Sequence, residues 1–283
     1  MKRTLLILTA LLATITTASA MKTPKPLVHR IEPPCWWTGM ETPLQLMIYG
    51  PSLGEGSVSC PDGSIIIDAI HKADSPNYLF LDITIPPGVR AGDYTFQWTN
   101  GRQKLSFVYT LHERIPGSAR RSGLSSSDVL YLLMPDRFIN GDPENDSTPC
   151  TVEKANPQDD YGRKGGDLEG IRMSLDYLSE LGVTSVWPTP VTLDNEPAAS
   201  YHGYACADYY KIDPRFGTNE SYRELTREAA ARGISFLQDI VPNHCGTAHW
   251  WMKDLPFKDW IHVFDAYTPV SYTPLTLPTI YSV

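Results

Sequence analysis

The fold of this chain is decided by the stretch Ile234-Ser-Phe-Leu-Gln-Asp239-Ile-Val-Pro-Asn243-His244. It begins with a short, largely apolar run that follows Gly233, a residue type that ends helices. Such a run is typical of a buried parallel strand in a βαβ series, with polar residues emerging past its carboxyl end. In an α/β barrel that end carries the functional site. The stretch therefore predicts a parallel strand that presents Asp239, Asn243 and His244 at a site.

The residues before this stretch predict two more strands and two helices. Val129–Met134 is a continuous apolar strand, and residues 183–187 form a second one. Between them, apolar residues recur at helical spacing from Leu168 to Leu181 and stop at a glycine. Ser221–Glu224 reads as a capping box that opens another helix. Strand, helix, strand, helix and strand in this order predict the start of a parallel α/β domain, over residues 128–244.

The region over residues 24–115 has a different pattern. Short strands alternate with turn signals, such as Tyr94–Trp98 followed by Asn100-Gly101, a hairpin-type turn. This pattern predicts an immunoglobulin-like β-sandwich. Residues 116–127 are polar and contain proline, glycine and serine, so we interpret them as the linker between two domains.

Composition excludes some partners. The chain has 283 residues and a net charge of −8, with a pI near 5.3. An acidic chain argues against nucleic acid or an anionic membrane surface as a partner. The five cysteines leave at least one unpaired in any intramolecular scheme, and their spacing matches no zinc pattern, so we assign no disulfide.

The first 20 residues predict a secretory signal peptide. Lys2 and Arg3 are followed by an apolar stretch over residues 5–15 and by the small residues Ala18-Ser19-Ala20. The apolar stretch is short for a membrane-spanning helix, which needs about 20 residues. We therefore expect an exported protein, in the periplasm or, alternatively, outside the cell.

Four motifs in a fixed order resemble glycoside hydrolase family 13, the α-amylase family. They are Met134-Pro-Asp-Arg-Phe138, His202-Gly-Tyr204, Asp208-Tyr-Tyr-Lys-Ile-Asp213-Pro-Arg-Phe-Gly217 and Asp239-Ile-Val-Pro-Asn243-His244. The match is closest to the neopullulanase/cyclomaltodextrinase branch, in which a β-sandwich precedes a TIM (β/α)8 barrel. The resemblance implies a multidomain chain with about three βα units of that barrel. Residues 245–269 would then begin the domain that protrudes after the third strand.

The resemblance also implies roles for single residues. Tyr204 would stack its ring on the sugar at the cleavage subsite, and His244 would donate a hydrogen bond to a hydroxyl of that sugar. Asp239 would hold the framework of the site, and His202 would support it from behind. The alternative for each residue is an ordinary structural role.

An oxygen-rich segment predicts a cation site. Asn140-Gly-Asp142-Pro-Glu-Asn145-Asp146 and Gly165-Gly166-Asp167 space oxygen ligands closely around turn-permitting glycines, which suits a hard cation. In the resembled branch the matching segment binds calcium, and Asn243 is a further calcium position in many family members. The alternative is an Asx-rich turn without metal. The implied ligands are Asn140, Asp142, Asn145, Asp146, Gly166, Asp167 and, as a further candidate, Asn243.

The catalytic carboxylates of the resembled family are missing from this sequence. Retaining glycosidases use a nucleophile and an acid/base about 5 Å apart. In the family these residues follow strands four and five, and a stabilising Asp follows strand seven. We therefore predict a truncated, inactive fragment. Residues 270–283 resemble a translated library-adapter sequence and are predicted to be a non-native tail.

The resemblance implies a retaining α-glucan hydrolase that cleaves α-1,4-glucosidic bonds in maltodextrins, cyclodextrins or pullulan. Two alternatives stay open: a non-catalytic starch- or maltodextrin-binding protein and a glucan transglycosylase on the same scaffold. The expected partners are α-glucan oligosaccharides. Related enzymes use the sandwich in dimer contact, so the whole protein is expected to form a homodimer through this domain.

Overall fold

A computed structural model describes residues 27–120 and 123–261. The predicted signal peptide and the predicted tail lie outside these residues. The first part of the structure is a β-sandwich of eight strands: β1 (Arg30–Glu32), β2 (Cys35–Trp37), β3 (Leu44–Tyr49), β4 (Ser57–Ser59), β5 (Ile66–Lys72), β6 (Tyr78–Thr84), β7 (Gly92–Asn100) and β8 (Gln103–His112). One sheet has the order β1-β3-β6-β5, and the other has the order β2-β8-β7-β4.

Alternating side chains build the sandwich core. In β3, Leu44, Leu46 and Ile48 are buried between the sheets while Gln45 faces solvent, as the two-residue period of a strand requires. Trp98 is 1% exposed and donates its indole N–H to the carbonyl of Leu53 at 2.7 Å. The sandwich that the sequence predicts is therefore confirmed, with a closed apolar core.

The second part contains a three-stranded parallel sheet. Its strands are β9 (Leu130–Leu133), β10 (Ser185–Pro188) and β13 (Ser235–Phe236), in the order β13-β10-β9. The helices α1 (Leu168–Met173), α2 (Leu175–Glu180) and α3 (Asn219–Ala231) connect these strands. This arrangement confirms the predicted start of a parallel α/β domain. The third strand is shorter than the predicted 234–239, although Leu237 N still donates to Val186 O at 2.9 Å.

Two helix predictions need correction. The single helix predicted from Leu168 to Leu181 is broken at Ser174, whose backbone leaves the helical region and whose hydroxyl donates to Gly170 O at 2.8 Å. The capping box of α3 is formed by Thr218 and Ser221, three residues earlier than predicted. Thr218 is extended, accepts from Ser221 N at 3.0 Å and donates its own N–H to Ser221 Oγ at 2.8 Å.

An antiparallel hairpin that the sequence did not predict lies between β10 and α3. It pairs β11 (Thr192–Asp194) with β12 (Cys206–Ile212), and its register shifts twice. The residues that connect these two strands include the His-Gly-Tyr motif over 202–204. The hairpin therefore carries a predicted site motif toward the carboxyl end of the parallel sheet.

The segment after β13 contains two short 3₁₀ turns, Trp250–Lys253 and Lys258–Trp260. They pack against the outer face of the first sandwich sheet, where Met47, Tyr78 and Phe80 are buried. Among the described residues, no helix combines the length and apolar character needed to cross a membrane.

Candidate functional site

Asp239 is the centre of the contacts at the end of the third parallel strand. Its Oδ2 accepts a hydrogen bond from the hydroxyl of Tyr204 at 3.1 Å and another from the indole N–H of Trp187 at 3.1 Å. Trp187 lies on β10, so the acceptor links three different segments of the chain. Partial burial raises the pKa of Tyr204, and the contact with Asp239 raises it further. Asp239 thus fixes the tilt of two aromatic rings.

Tyr204 keeps an exposed ring while its hydroxyl is held. Its side chain is 38% exposed, and Trp187 beside it is 37% exposed. A flat aromatic face that is open to solvent and locked at one end suits stacking on the apolar face of a sugar ring. Trp187 was not singled out from the sequence. The available signal was a large aromatic residue at the carboxyl end of a parallel strand.

His244 joins the loop over residues 239–244, which follows the third parallel strand and is called the strand-end loop, to the connection between β11 and β12. Its Nε2 lies 3.1 Å from the carbonyl oxygen of Tyr204, which can only accept, so Nε2 carries the proton. Nδ1 then accepts the long 3.4 Å contact from Asn243 Nδ2. With this tautomer, donation from Nε2 to a sugar hydroxyl requires release of the Tyr204 carbonyl.

His202 closes the turn that presents Tyr204. Its Nδ1 accepts from the backbone N–H of Tyr204 at 3.0 Å and lies 3.9 Å from Asp194 Oδ2. Desolvation lowers the pKa of His202, which favours the neutral ring that this acceptor role needs. Gly203 between them has a φ of +78°, the left-handed region that glycine adopts without strain. The position of His202 is therefore that of a support behind Tyr204.

A buried ionic network lies under this turn. Arg215 is 1% exposed and bonds Asp213 twice, with Nε to Oδ1 at 2.9 Å and Nη2 to Oδ2 at 2.7 Å. Asp213 Oδ2 also accepts from Asp194 N at 3.2 Å. Asp194 in turn accepts from the backbone N–H groups of Glu196 and Ala205, both at 3.1 Å. The network anchors the hairpin connection on both sides of Tyr204.

Burial raises the pKa of Asp194 to about 6, above the value of an exposed carboxyl. Between pH 4 and 6 the folded protein therefore holds a proton that the unfolded chain has released. Stability falls as pH rises through this window, by up to about 1.4 kcal/mol per pH unit from this group. Urea unfolding of the wild type and Asp194→Asn across pH 4–7 measures the difference. Parallel pH profiles of the two proteins would contradict this assignment.

An open cavity of about 490 Å³ lies beside the strand-end loop. Asp239, Asn243 and His244 line one part of it, and Tyr209 and Trp251 line another. Its volume is within the range of small-molecule sites. Tyr204 is not among its lining residues. The cavity shares Asp239 with the hydrogen bond that holds Tyr204.

The predicted calcium ligands come together in one loop region, apart from Asn243, which is on the strand-end loop. Asp167 Oδ1 accepts from Gly141 N and Gly170 N, and its Oδ2 accepts from Asp142 N and Asn145 Nδ2. Four donors fill the lone pairs of this carboxylate. Asp167 therefore caps α1 and closes the loop, and these four donors already occupy its carboxylate.

Three observations fit a cation in this loop. The side-chain oxygen of Asn145 is buried without a hydrogen-bond partner. Gly165 lets the backbone approach Asp146 and Asn140 closely, since an added Cβ would lie only 2.5 Å from Asp146 Oδ1. Burial first, and then the carboxylates of Asp167 and other neighbours, raise the pKa of Asp146. Within residues 27–120 and 123–261, no three acidic, His or Cys side chains form a metal cluster, so amide and carbonyl oxygens would complete the set.

Both parts of the chain match models of known protein families. Residues 30–115 match the family model for the N-terminal domain of cyclomaltodextrinase. Residues 132–268 match the model for the catalytic domain of α-amylase. The chain belongs to the α-amylase family. This α-amylase family chain carries the start of the catalytic domain, and the family predicted from the four motifs is confirmed.

Curated relatives and a solved structure are similar to parts of this chain. Neopullulanase 2 of Thermoactinomyces vulgaris is 40% identical over 157 residues, which are 52% of this chain and 26% of the relative. A cyclomaltodextrinase of Geobacillus thermopakistaniensis is 37% identical over 48% of this chain and 24% of the relative. The crystal structure of an Anoxybacillus α-amylase has 37% identity and a TM-score of 0.45, over 51% of this chain and 30% of that chain. The chain spans about a quarter of the length of these curated relatives.

Proposed function

We propose that this chain forms the sugar-holding side of a site that acts on α-glucans, in a retaining hydrolase of α-1,4-glucosidic bonds. The observation that carries the proposal is the exposed ring of Tyr204, locked by Asp239 at the carboxyl end of the parallel sheet. The relatives named neopullulanase and cyclomaltodextrinase support the choice of maltodextrins, cyclodextrins or pullulan as substrates.

The residues of this chain bind and orient the sugar in this proposal. The ring of Tyr204 stacks on the apolar face of a glucose unit, and Asp239 holds that ring and Trp187 in place. His244 ties the strand-end loop to the same turn through the Tyr204 carbonyl. The nucleophile and the acid/base would be supplied by residues that follow later barrel strands. Asp239 does not replace them in this proposal, because it follows the third strand of the sheet and belongs to the motif of that strand.

Binding of maltotriose tests the proposal. We expect saturation-transfer NMR to show maltotriose on the chain, and no signal for β-linked cellotriose at the same concentration. Tyr204→Ala should abolish the maltotriose signal, because it removes the stacking face. Tyr177→Ala is the matched control, since Tyr177 is 58% exposed on α2, away from the Tyr204 turn. Equal signals from the two trisaccharides would contradict the proposal.

Hydrolysis by the chain itself provides a second check. With the catalytic carboxylates placed on later strands, the 283-residue chain should release no product from maltooligosaccharides. Turnover above that of a vector control would show that the catalytic groups lie within this chain.

We propose calcium as a structural ion of the loop over residues 140–146. The buried side-chain oxygen of Asn145, which has no hydrogen-bond partner, and the close approach of the Gly165 backbone to Asp146 support it. Asn140, Asp142, Asn145, Asp146 and the carbonyl of Gly166 would hold the ion, which would tie this loop to the residues before α1. Asn243 lies on the strand-end loop and stays a separate candidate.

Calcium should raise the melting temperature of the chain. A ligand at 100 times its dissociation constant adds about 2.7 kcal/mol to the free energy of unfolding. Asp146→Asn should remove the response to calcium. Glu144→Gln should keep it, because Glu144 is an exposed carboxylate of the same loop outside the ligand set. Identical melting curves in calcium and in EDTA for the wild type would exclude the ion.

Export and assembly are further parts of the proposal. The signal-like residues 1–20 support export, with the periplasm as the destination. A homodimer through the sandwich stays a prediction. Light scattering on the purified protein after signal removal would distinguish monomer from dimer.

A further inference from the structure

The sandwich and the segment 249–258 form an aromatic interface. The ring of Tyr78 stacks on Trp250 with centroids 6.0 Å apart and planes at 13°, and Phe80 stacks on Phe257 at 5.8 Å. Asn77 donates its side-chain N–H to Asp254 Oδ2 at 2.7 Å, and the hydroxyl of Tyr78 donates to the carbonyl of the same residue. This segment begins five residues after His244, so the sandwich holds the chain that continues the strand-end loop.

Arg30 connects the sandwich to the hairpin as well. It lies on β1, bonds Glu32 at 2.8 Å, and pairs through Nη2 with the carboxylate of Asp208 on β12. Its guanidinium also lies 5.0 Å from the centre of the Trp250 ring. Asp208 is buried, and partners for a buried carboxylate are strongly favoured. One sandwich side chain therefore contacts both the hairpin and the segment 249–258.

Tyr209, the neighbour of Asp208, contacts the strand-end loop directly. Its hydroxyl donates to the carbonyl oxygen of His244 at 2.8 Å and lies 3.2 Å from that of Val241. Its ring packs on His249 and Trp251, at 5.5 and 6.2 Å between centroids. Tyr209 therefore holds the loop 241–244 at one side and the segment 249–258 at the other.

We propose that the sandwich sets the position of the loop 241–244. One path runs from Arg30 through Asp208 to Tyr209, and the other runs from Tyr78 to the segment 249–258. Arg30 and Tyr209 are then positioning residues for the site, although neither contacts the sugar. The expected effect of this positioning on sugar affinity rests on the proposed function. The coupling between the sandwich and the loop 241–244 does not.

Hydrogen–deuterium exchange of the whole chain tests the coupling without any ligand. The amides of Gly246 and His249 bond the carbonyls of Cys206 and Gly246, so peptides over 241–249 report opening of the loop. Tyr209→Phe removes only the hydroxyl and should raise exchange in these peptides about five- to tenfold. Arg30→Met should do the same, and Arg30→Lys, which keeps the charge, should restore part of the protection.

Tyr94→Phe is the matched control. Its hydroxyl donates to the Arg90 carbonyl at 2.7 Å in an exposed part of the sandwich domain, far along the chain from the loop. Exchange over 241–249 should not change in this variant. Unchanged exchange over 241–249 in both Tyr209→Phe and Arg30→Met overturns the proposal. Faster exchange of β6 in Tyr209→Phe also overturns it, because the effect would then be general loosening.

Sugar binding separates this inference from the proposed function. Tyr209→Phe should bind maltotriose about three- to tenfold more weakly than the wild type. A wild type that binds no maltotriose overturns the proposed function, and the exchange data then decide the coupling alone. Equal maltotriose affinity in wild type and Tyr209→Phe would overturn the positioning role.

Discussion

Arg215→Met is expected to lower the free energy of unfolding by about 3–5 kcal/mol, the usual cost of removing one partner of a buried ion pair. Arg215 is fully buried and supplies two bonds to Asp213 and one to the carbonyl of Glu153 at 2.9 Å. Without it, Asp213 keeps a buried charge whose next cation, Arg163, lies 3.9 Å away. Methionine fills much of the volume but supplies no donor, so the loss is electrostatic.

Urea unfolding followed by circular dichroism measures this loss. Arg223→Met is the control, because Arg223 pairs with Glu220 on the surface, where both side chains are more than 60% exposed. Surface pairs contribute about 0–1 kcal/mol. Adding Asp213→Asn to Arg215→Met should recover part of the stability, since it removes the unpaired charge. Similar losses in the two arginine variants would show that burial of the pair has no special cost.

Gly203→Ala is expected to destabilise the protein by about 2–5 kcal/mol, from two independent causes. A left-handed backbone costs a residue with a Cβ about 1–2 kcal/mol, and φ is +78° here. The added Cβ would also lie 2.0 Å from the carbonyl oxygen of Pro190, so the backbone must move, which costs about 1–3 kcal/mol more. That movement displaces the neighbouring Tyr204 from Asp239, so binding of maltotriose should be lost together with stability.

Gly233→Ala separates these two causes. Its φ is +76°, almost the same, but an added Cβ there meets nothing within 4 Å. It should cost only the backbone part, about 1–2 kcal/mol. Thermal unfolding of both variants gives the difference. If Gly203→Ala were no less stable than Gly233→Ala, the contact with Pro190 would not be a tight one.

The order of the domains and the parallel sheet could be predicted because both depend on local patterns. Strand alternation and glycine stops are visible within a few residues of sequence. The hairpin β11–β12 could not be predicted, since β11 has only three residues and its pairing shifts register twice. The break between α1 and α2 at Ser174 could not be predicted either, because the apolar residues recur at helical spacing on both sides of it.

Only the residues that form family motifs could be proposed for the site from the sequence. Tyr204 and His244 could be proposed from the resemblance, but the residues that hold them could not. Trp187 looks like the end of an apolar strand, and Tyr209 like one of two adjacent tyrosines. Their roles depend on contacts with Asp239 and His244, which lie 52 and 35 residues further along the chain. Such contacts are set by the tertiary fold rather than by local sequence.

The bond between Asn77 and Asp254 joins residues 177 positions apart. Domains generally fold in order from the amino terminus during synthesis, and distant contacts form late. The sandwich should therefore be complete before the segment 249–258 leaves the ribosome. The segment would then meet a finished surface, and the residues of the proposed sugar site that follow the third strand would be ordered by a template made earlier in translation.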